Sequence, residues 1–342
     1  MKKLVWVFIM VMSLVFCMNA NVIAAEKVWK LKGTTFIPPS GARWDNVLDF
    51  VAKLKERTNG RVILEVAPSG GLCSSWEEYD YLSQGYIDFA QLIDAWALTH
   101  HNEFGLLGMA LIKSNEVPDL MKAGVMDIWA EITAKNNIKL LAVWSATGYN
   151  CHAIKHRFIN GPADFDNIPF FATGAIFNKI HEILGAKPTP VPNAEAFSAY
   201  TTGVLKGSTS SLSTMYSYKN YEPLPYLSYY PSGKNLGLYA FMPAFNMKVW
   251  NSFPADIQET IQKTADEIME VSVSRWKKAD EKALEFFKTI PDKVFLNAIT
   301  DAEADTIIKK VRKPIQAFFV EQGKGKGREK ELMDILNKFT GE

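Results

Sequence analysis

From Pro254 to Phe287 one amphipathic pattern runs unbroken: Ile257, Ile261, Ala265, Ile268, Trp276, Ala279, Ala283 and Phe286 recur at helical spacing. Helices of globular proteins run about 8–20 residues, so this pattern predicts an element that serves two structural units at once. Pro254 suits a first helical turn, and Asp256 and Glu259 complement the helix dipole there. A chain of 342 residues is long enough for two domains, or one large one, with ample core.

The segments before that helix mix strands and helices. Residues 28–32 alternate as a strand ending at Gly33, and Pro38-Pro39-Ser40-Gly41 breaks the chain. Trp44 to Lys55 then has helical periodicity, closed by Thr58-Asn59-Gly60. Val62 to Val66 reads as a strand, Trp76 to Ser83 as a helix, and Ile87 to Ile93 as a second apolar strand. This order argues for a parallel sheet faced by helices. A helix is expected around 118–134, with strand character at Leu140 to Trp144 and at 236–242. Further helices fit Ala175 to Leu184, Ala194 to Thr202 and 301–322. Gly323 to Arg328 reads as a flexible basic link.

Lys2 and Lys3, an apolar run from Leu4 to Cys17, and Ile23-Ala24-Ala25 before Glu26-Lys27 make an export signal, cleaved near Ala25. The run is short for a membrane span of about 20 residues; an uncleaved anchor is the alternative. The mature protein is expected in the periplasm, with no stable membrane insertion. Cys73 and Cys151 remain in it, either as a disulfide or as two buried free thiols.

Several activities are disfavoured. The chain carries 38 Lys+Arg against 37 Asp+Glu, which gives no cationic surface for nucleic acid. No phosphate-cradling Gly loop with Lys, nucleophile elbow, HExxH or CxxC is present. Cys151, His152 and His156 lack the carboxylate or second Cys that would complete a four-ligand metal spacing. The expectation is a protein that is not an enzyme and has no cofactor or metal.

Five segments, in order, resemble the substrate-binding proteins of TRAP (tripartite ATP-independent periplasmic) transporters, the DctP type. They are Phe50 to Val62, Pro68 to Leu72 followed by Gly85 to Phe89, Pro162-Ala-Asp164, Glu195 to Gly203, and Asn246 to Gln258. The resemblance implies an α/β, two-lobe periplasmic binding protein fold, with mixed sheets flanked by helices and a long helix spanning both lobes. It divides the chain into signal peptide (1–25), first lobe (26–150), second lobe with crossing strands (151–250), and spanning plus C-terminal helices (251–342). It also implies a small organic solute and TRAP permease membrane subunits as partners. A periplasmic component that presents ligand to a signalling receptor is the alternative.

The chain departs from the family where charge matters. Members usually hold a carboxylate with an arginine after the Pro-x-Asp motif, because the guanidinium fork makes two parallel hydrogen bonds. Phe171 stands at or within one residue of that position, and Asn150 follows Gly148-Tyr149 where a second arginine belongs. Matched by resemblance, the ligand-binding candidates are Thr35, Phe36, Ser75, Trp96, Tyr149, Asn150, Phe171, Asn193, Thr209 and Ser210. Such a set favours a neutral, aromatic or cationic ligand. Phe171 and Trp96 also fit simple core packing, and Arg43, Arg157 or Lys206 could anchor an organic acid instead.

Overall fold

The computed structural model describes residues 27–172, 174–191, 195–325 and 327–341. The segment expected to be an export signal and the candidate Asn193 lie outside the described residues.

Two mixed sheets organise the chain. The first contains β1 (Trp29–Thr34), β2 (Val62–Ala67), β3 (Phe89–Ile93), β4 (Ile138–Leu140), β5 (Trp144–Gly148) and β11 (Leu238–Asn246). Its order is β2-β1-β3-β11-β4, with β5 also on β11. β1 lies parallel to β2 and β3, whereas β11 runs antiparallel to β3, β4 and β5. β3 is buried at every position, which suits an apolar strand covered on both faces. In β1, the exposed Lys30 and Lys32 alternate with the buried Trp29, Leu31 and Gly33.

The second sheet contains β6 (Cys151–Ile154), β7 (Pro169–Phe171), β8 (Lys187–Thr189), β9 (Gly207–Ser210), β10 (Tyr226–Tyr229) and β12 (Phe295–Ala298), in the order β12-β10-β6-β9-β7-β8. The boundary expected at residue 250 needs correcting. Residues 238–246 pair with first-sheet strands, because the apolar run Leu238 to Phe245 completes that sheet's buried centre.

Two links cross between the sheets and are bonded to each other. Tyr149 N–H donates to Gly237 O, Leu236 N–H to Tyr149 O, and Tyr230 N–H to Asn150 O. Gly237 takes φ 114°, and a Cβ there would collide with the Gly108 carbonyl and the Phe177 ring.

The long amphipathic pattern forms one helix, Ala255–Lys288, of 34 residues. Its first half, Ile257, Ile261, Ala265 and Ile268, packs in a core with Phe50, Phe89 and Phe245. Its second half, Ala283 and Phe287, packs with Tyr200, Met215 and Leu227. One helix therefore completes two cores. The helices Ala175–Leu184 and Asp301–Gln322 match their expected bounds.

The segment expected to be a free basic link is instead tied down at its end. Arg328 pairs with Glu131 and Glu331, each at 2.6 Å, and a further helix, Glu329–Thr340, buries Leu332, Met333 and Leu336. Cys73 and Cys151 are free and buried. Among the described residues no helix is long and apolar enough to cross a membrane.

Candidate functional site

Parallel strands of an α/β sheet present their carboxyl ends to a crevice, where ligands commonly bind. β1 ends into Thr35 and Phe36, and β3 ends into Asp94 and Trp96. These ends carry a strip of rings. Trp76 is 58% exposed and tilts against Trp96 at 5.6 Å. Trp96 meets the Phe36 edge at 4.5 Å, and Phe36 stacks on Phe241 at 6.1 Å. The β11–β5 register shifts between Ala240 and Phe241; such bulges re-aim side chains.

The strip ends on a cation. The Arg43 guanidinium lies 5.0 Å from the Phe241 ring and 4.8 Å from the Trp276 ring. A cation over an aromatic face is held by the ring quadrupole. Arg43 Nη2 also donates to Thr214 Oγ1 at 2.6 Å. Thr214 belongs to the helix Leu212–Ser217, which directly follows the second sheet's β9. Burial lowers the Arg43 pKa, with Tyr218, Tyr149 and Asp280 drawing it back up.

Beside the cation, Asn150 in the crossing link donates from Nδ2 to Asp280 Oδ2 at 2.6 Å, and the Ser213 amide donates to Asp280 Oδ1 at 2.8 Å. Burial pushes the Asp280 carboxyl up, and these two bonds and Arg43 oppose that. The Asn150 oxygen and the Trp276 indole nitrogen are buried without a hydrogen-bond partner. Behind the strip lie two more acids. Burial raises Glu78 well above the usual carboxylate range, although the Phe36 amide draws it back. Asp94 is raised in the same way, against bonds from the Ala240 and Ala95 amides.

The other expected residues fall in different surroundings. Thr35 is buried and donates to Gln91 Oε1 at 3.3 Å. Ser75 is half-buried next to Trp76. Tyr149 is buried against Phe177 and Tyr239, at 4.4 and 4.8 Å. The half-buried Phe171 packs on the second-lobe core, its ring 6.4 Å from Tyr200. Thr209 turns inward: its hydroxyl meets His152 Nδ1 at 3.1 Å and His181 Nε2 at 2.8 Å, while Ser210 on the same strand is half-buried. Of the three cations considered from sequence, only Arg43 reaches this junction. Arg157 is bonded to the Asp164 carbonyl and Lys206 is exposed. Sequence reasoning passed over Trp276 and Asp280. A usable signal existed, since Asp280 is an acid set directly beside the apolar stripe of Trp276, Ala279 and Ala283.

The model of the family DctP, bacterial extracellular solute-binding protein, family 7, matches residues 35–322. The C4-dicarboxylate-binding periplasmic protein DctP of Rhodobacter capsulatus is 24% identical over 271 residues, covering 75% of this chain and 77% of its own. The ectoine-binding periplasmic protein TeaA of Halomonas elongata is 25% identical over 178 residues, covering 52% and 50%. Among solved structures, a TRAP periplasmic solute-binding protein of Desulfovibrio salexigens with bound orotic acid superposes with a TM-score of 0.81 at 20% identity, covering 91% and 98%. One from Sulfurospirillum deleyianum with bound succinate gives 0.77 at 20%, covering 92% and 99%.

Proposed function

The chain belongs to the DctP family of extracytoplasmic solute-binding proteins of TRAP transporters, and on that premise we propose how it takes its ligand. The family binds small organic solutes and is a transport family, not a family of enzymes. We assign the two sheets to two lobes that close on the solute. Residues up to about Ala25 are removed on export, and the closed form is what the permease subunits recognise. Closure responds to ligand only through differential affinity for the closed form.

One observation carries the ligand assignment: the ring strip from Trp76 through Trp96 and Phe36 to Phe241, which ends at a bond between the lobes. The body of the solute lies on these rings. Phe171 and Asn150, where arginines would bring positive charge, favour a neutral, aromatic or cationic solute. A second reading, an organic acid, has one observation in its favour: Arg43 stands at the strip's inner end.

Thermal unfolding of residues 26–342 against carboxylates, neutral aromatics, alcohols and small amines tests this. A ligand at 100 times its Kd stabilises by about 2.7 kcal/mol. Shifts confined to neutral or cationic compounds support the first reading, and shifts confined to carboxylates replace it with the second. A flat panel sinks the solute-binding assignment of this strip.

A further inference from the structure

The balance of charge over the whole chain conceals a local excess. Residues 309–330 hold eight Lys and Arg against two acids, in a chain that carries 38 and 37 in all. Most of this segment belongs to the helix Asp301–Gln322.

That helix has two faces of different chemistry. Ile307, Val311, Ile315 and Phe319 recur on one face and are buried in a core shared with Phe104 and Phe177. Lys309, Lys310 and Lys313 are exposed. At the pitch of an α-helix these three fall within about 100° of one another. Lys324, just past the helix end, is exposed as well.

The helix does not neutralise these lysines itself. No acid stands between Thr306 and Val320. Asp301 and Asp305 are drawn to Lys234, at 3.7 and 2.6 Å, and Glu303 caps its own helix at Thr300. Lys309, Lys310 and Lys313 have no ion pair among the described residues. Lys309 and Lys313 stand four residues apart, a spacing at which like charges repel. An anion laid across the face relieves that repulsion.

The form of the face selects the anion. Protein interfaces draw their energy from buried aromatic and Arg anchors and are depleted in Lys. From 306 to 317 the exposed residues are only Thr, Lys, Pro and Ala. Lys is a strongly hydrated point charge on a flexible stem, which suits a diffuse field of anions better than one fixed partner. A bilayer of anionic headgroups is such a field, and each Lys close to it contributes about fivefold in binding. The face also lacks the large apolar residues that would insert into a bilayer.

We propose that the outer face of the helix Asp301–Gln322 is a peripheral docking surface for an anionic bilayer, held by Lys309, Lys310 and Lys313. Docking is reversible and electrostatic, and it does not depend on which solute is carried. Under the transport reading proposed above, it keeps the protein in the plane where the membrane permease subunits stand.

The test mixes residues 26–342 with extruded vesicles of phosphatidylcholine, alone or with about 30% phosphatidylglycerol, and reads bound protein by sedimentation. Binding is expected on the anionic vesicles only, at about 20 mM salt, and should vanish at about 500 mM as charge is screened. The triple variant Lys309→Gln, Lys310→Gln, Lys313→Gln should bind about a hundredfold more weakly. It should melt as the wild type does, because all three side chains are exposed. A control triple, Lys277→Gln, Lys278→Gln, Lys282→Gln, makes the same change in net charge at exposed positions of the spanning helix. It should bind almost as the wild type does. Equal binding to neutral vesicles, no sedimentation with anionic vesicles at low salt, or an equal loss in the control triple overturns the proposal. Soluble poly-glutamate supplies the rival partner. If it binds through the three lysines and vesicles do not, the face serves an acidic protein and the membrane assignment falls. Failure of docking leaves the solute-binding reading standing, since melting shifts with solutes test that reading without vesicles.

Discussion

Arg43 Nη2 and Thr214 Oγ1 meet at 2.6 Å, joining the first helix of one lobe to the helix that follows β9 in the other. The same guanidinium lies 5.0 Å from the Phe241 ring and 4.8 Å from the Trp276 ring, so two aromatic faces hold it besides the Thr214 bond.

Thr214→Val leaves that partly desolvated cation without its acceptor. A cost of about 1–2 kcal/mol is expected, because hydrogen bonds to charged groups are worth more than neutral ones. Urea unfolding measures it, with Thr214→Ser as the variant that retains the bond. Equal stability of the valine and serine variants would show that the contact does not hold the lobes.

The second lobe should be sensitive to acid. Burial lowers His152 and His181 from the ordinary 6.5 to about 3. The unfolded chain takes up protons on both rings below about 6.5, and the folded chain resists until about 3. Stability is therefore present above 6.5 and lost as pH falls between these values. Urea midpoints from pH 7 to 4 should fall, and His181→Gln should make the fall shallower. An identical slope in the variant would contradict the assignment.

Glu78 carries the opposite sign. Its folded pKa is raised by burial, so its contribution is present below about 4.5 and declines as pH rises toward the folded value. Glu78→Gln removes the ionisable group. The variant should gain on the wild type at pH 8 and not at pH 4, as read from paired melting curves. A gain that is the same at both values would point to packing instead.

Phe171→Arg restores the residue type that family resemblance places there. Phe171 is only half-buried at the end of β7, so the longer side chain has a route to solvent. The variant should acquire melting shifts of several degrees with dicarboxylates that leave the wild type unchanged. If the wild type already responds to them as strongly, another cation is the anchor.

Legibility in the sequence followed the range of the interaction involved. The helices Ala175–Leu184 and Asp301–Gln322 could be bounded to the residue, since periodicity and flanking breakers are local. Strand character was readable at 236–242, but the full strand Leu238–Asn246 and its place in the first sheet depend on β3 and β4, about a hundred residues or more upstream. Thr209 shows the same limit at the scale of a side chain. Strand position alone leaves its hydroxyl free to line a cleft, and only the approach of His181 and His152 turns it into the core. The helix Glu329–Thr340 was hidden because the glycines at 323, 325 and 327 read as the start of a tail.

The spanning helix imposes an order on maturation. Phe50 and Phe89 lack Ile257, Ile261 and Ile268 until late in the chain, and Tyr200 and Leu227 wait for Ala283 and Phe287. A nascent polypeptide cut short of residue 257 therefore has two unfinished interiors, and one cut between 269 and 282 still has the second. Late arrival of the shared spine thus keeps both interiors open for most of the chain's synthesis.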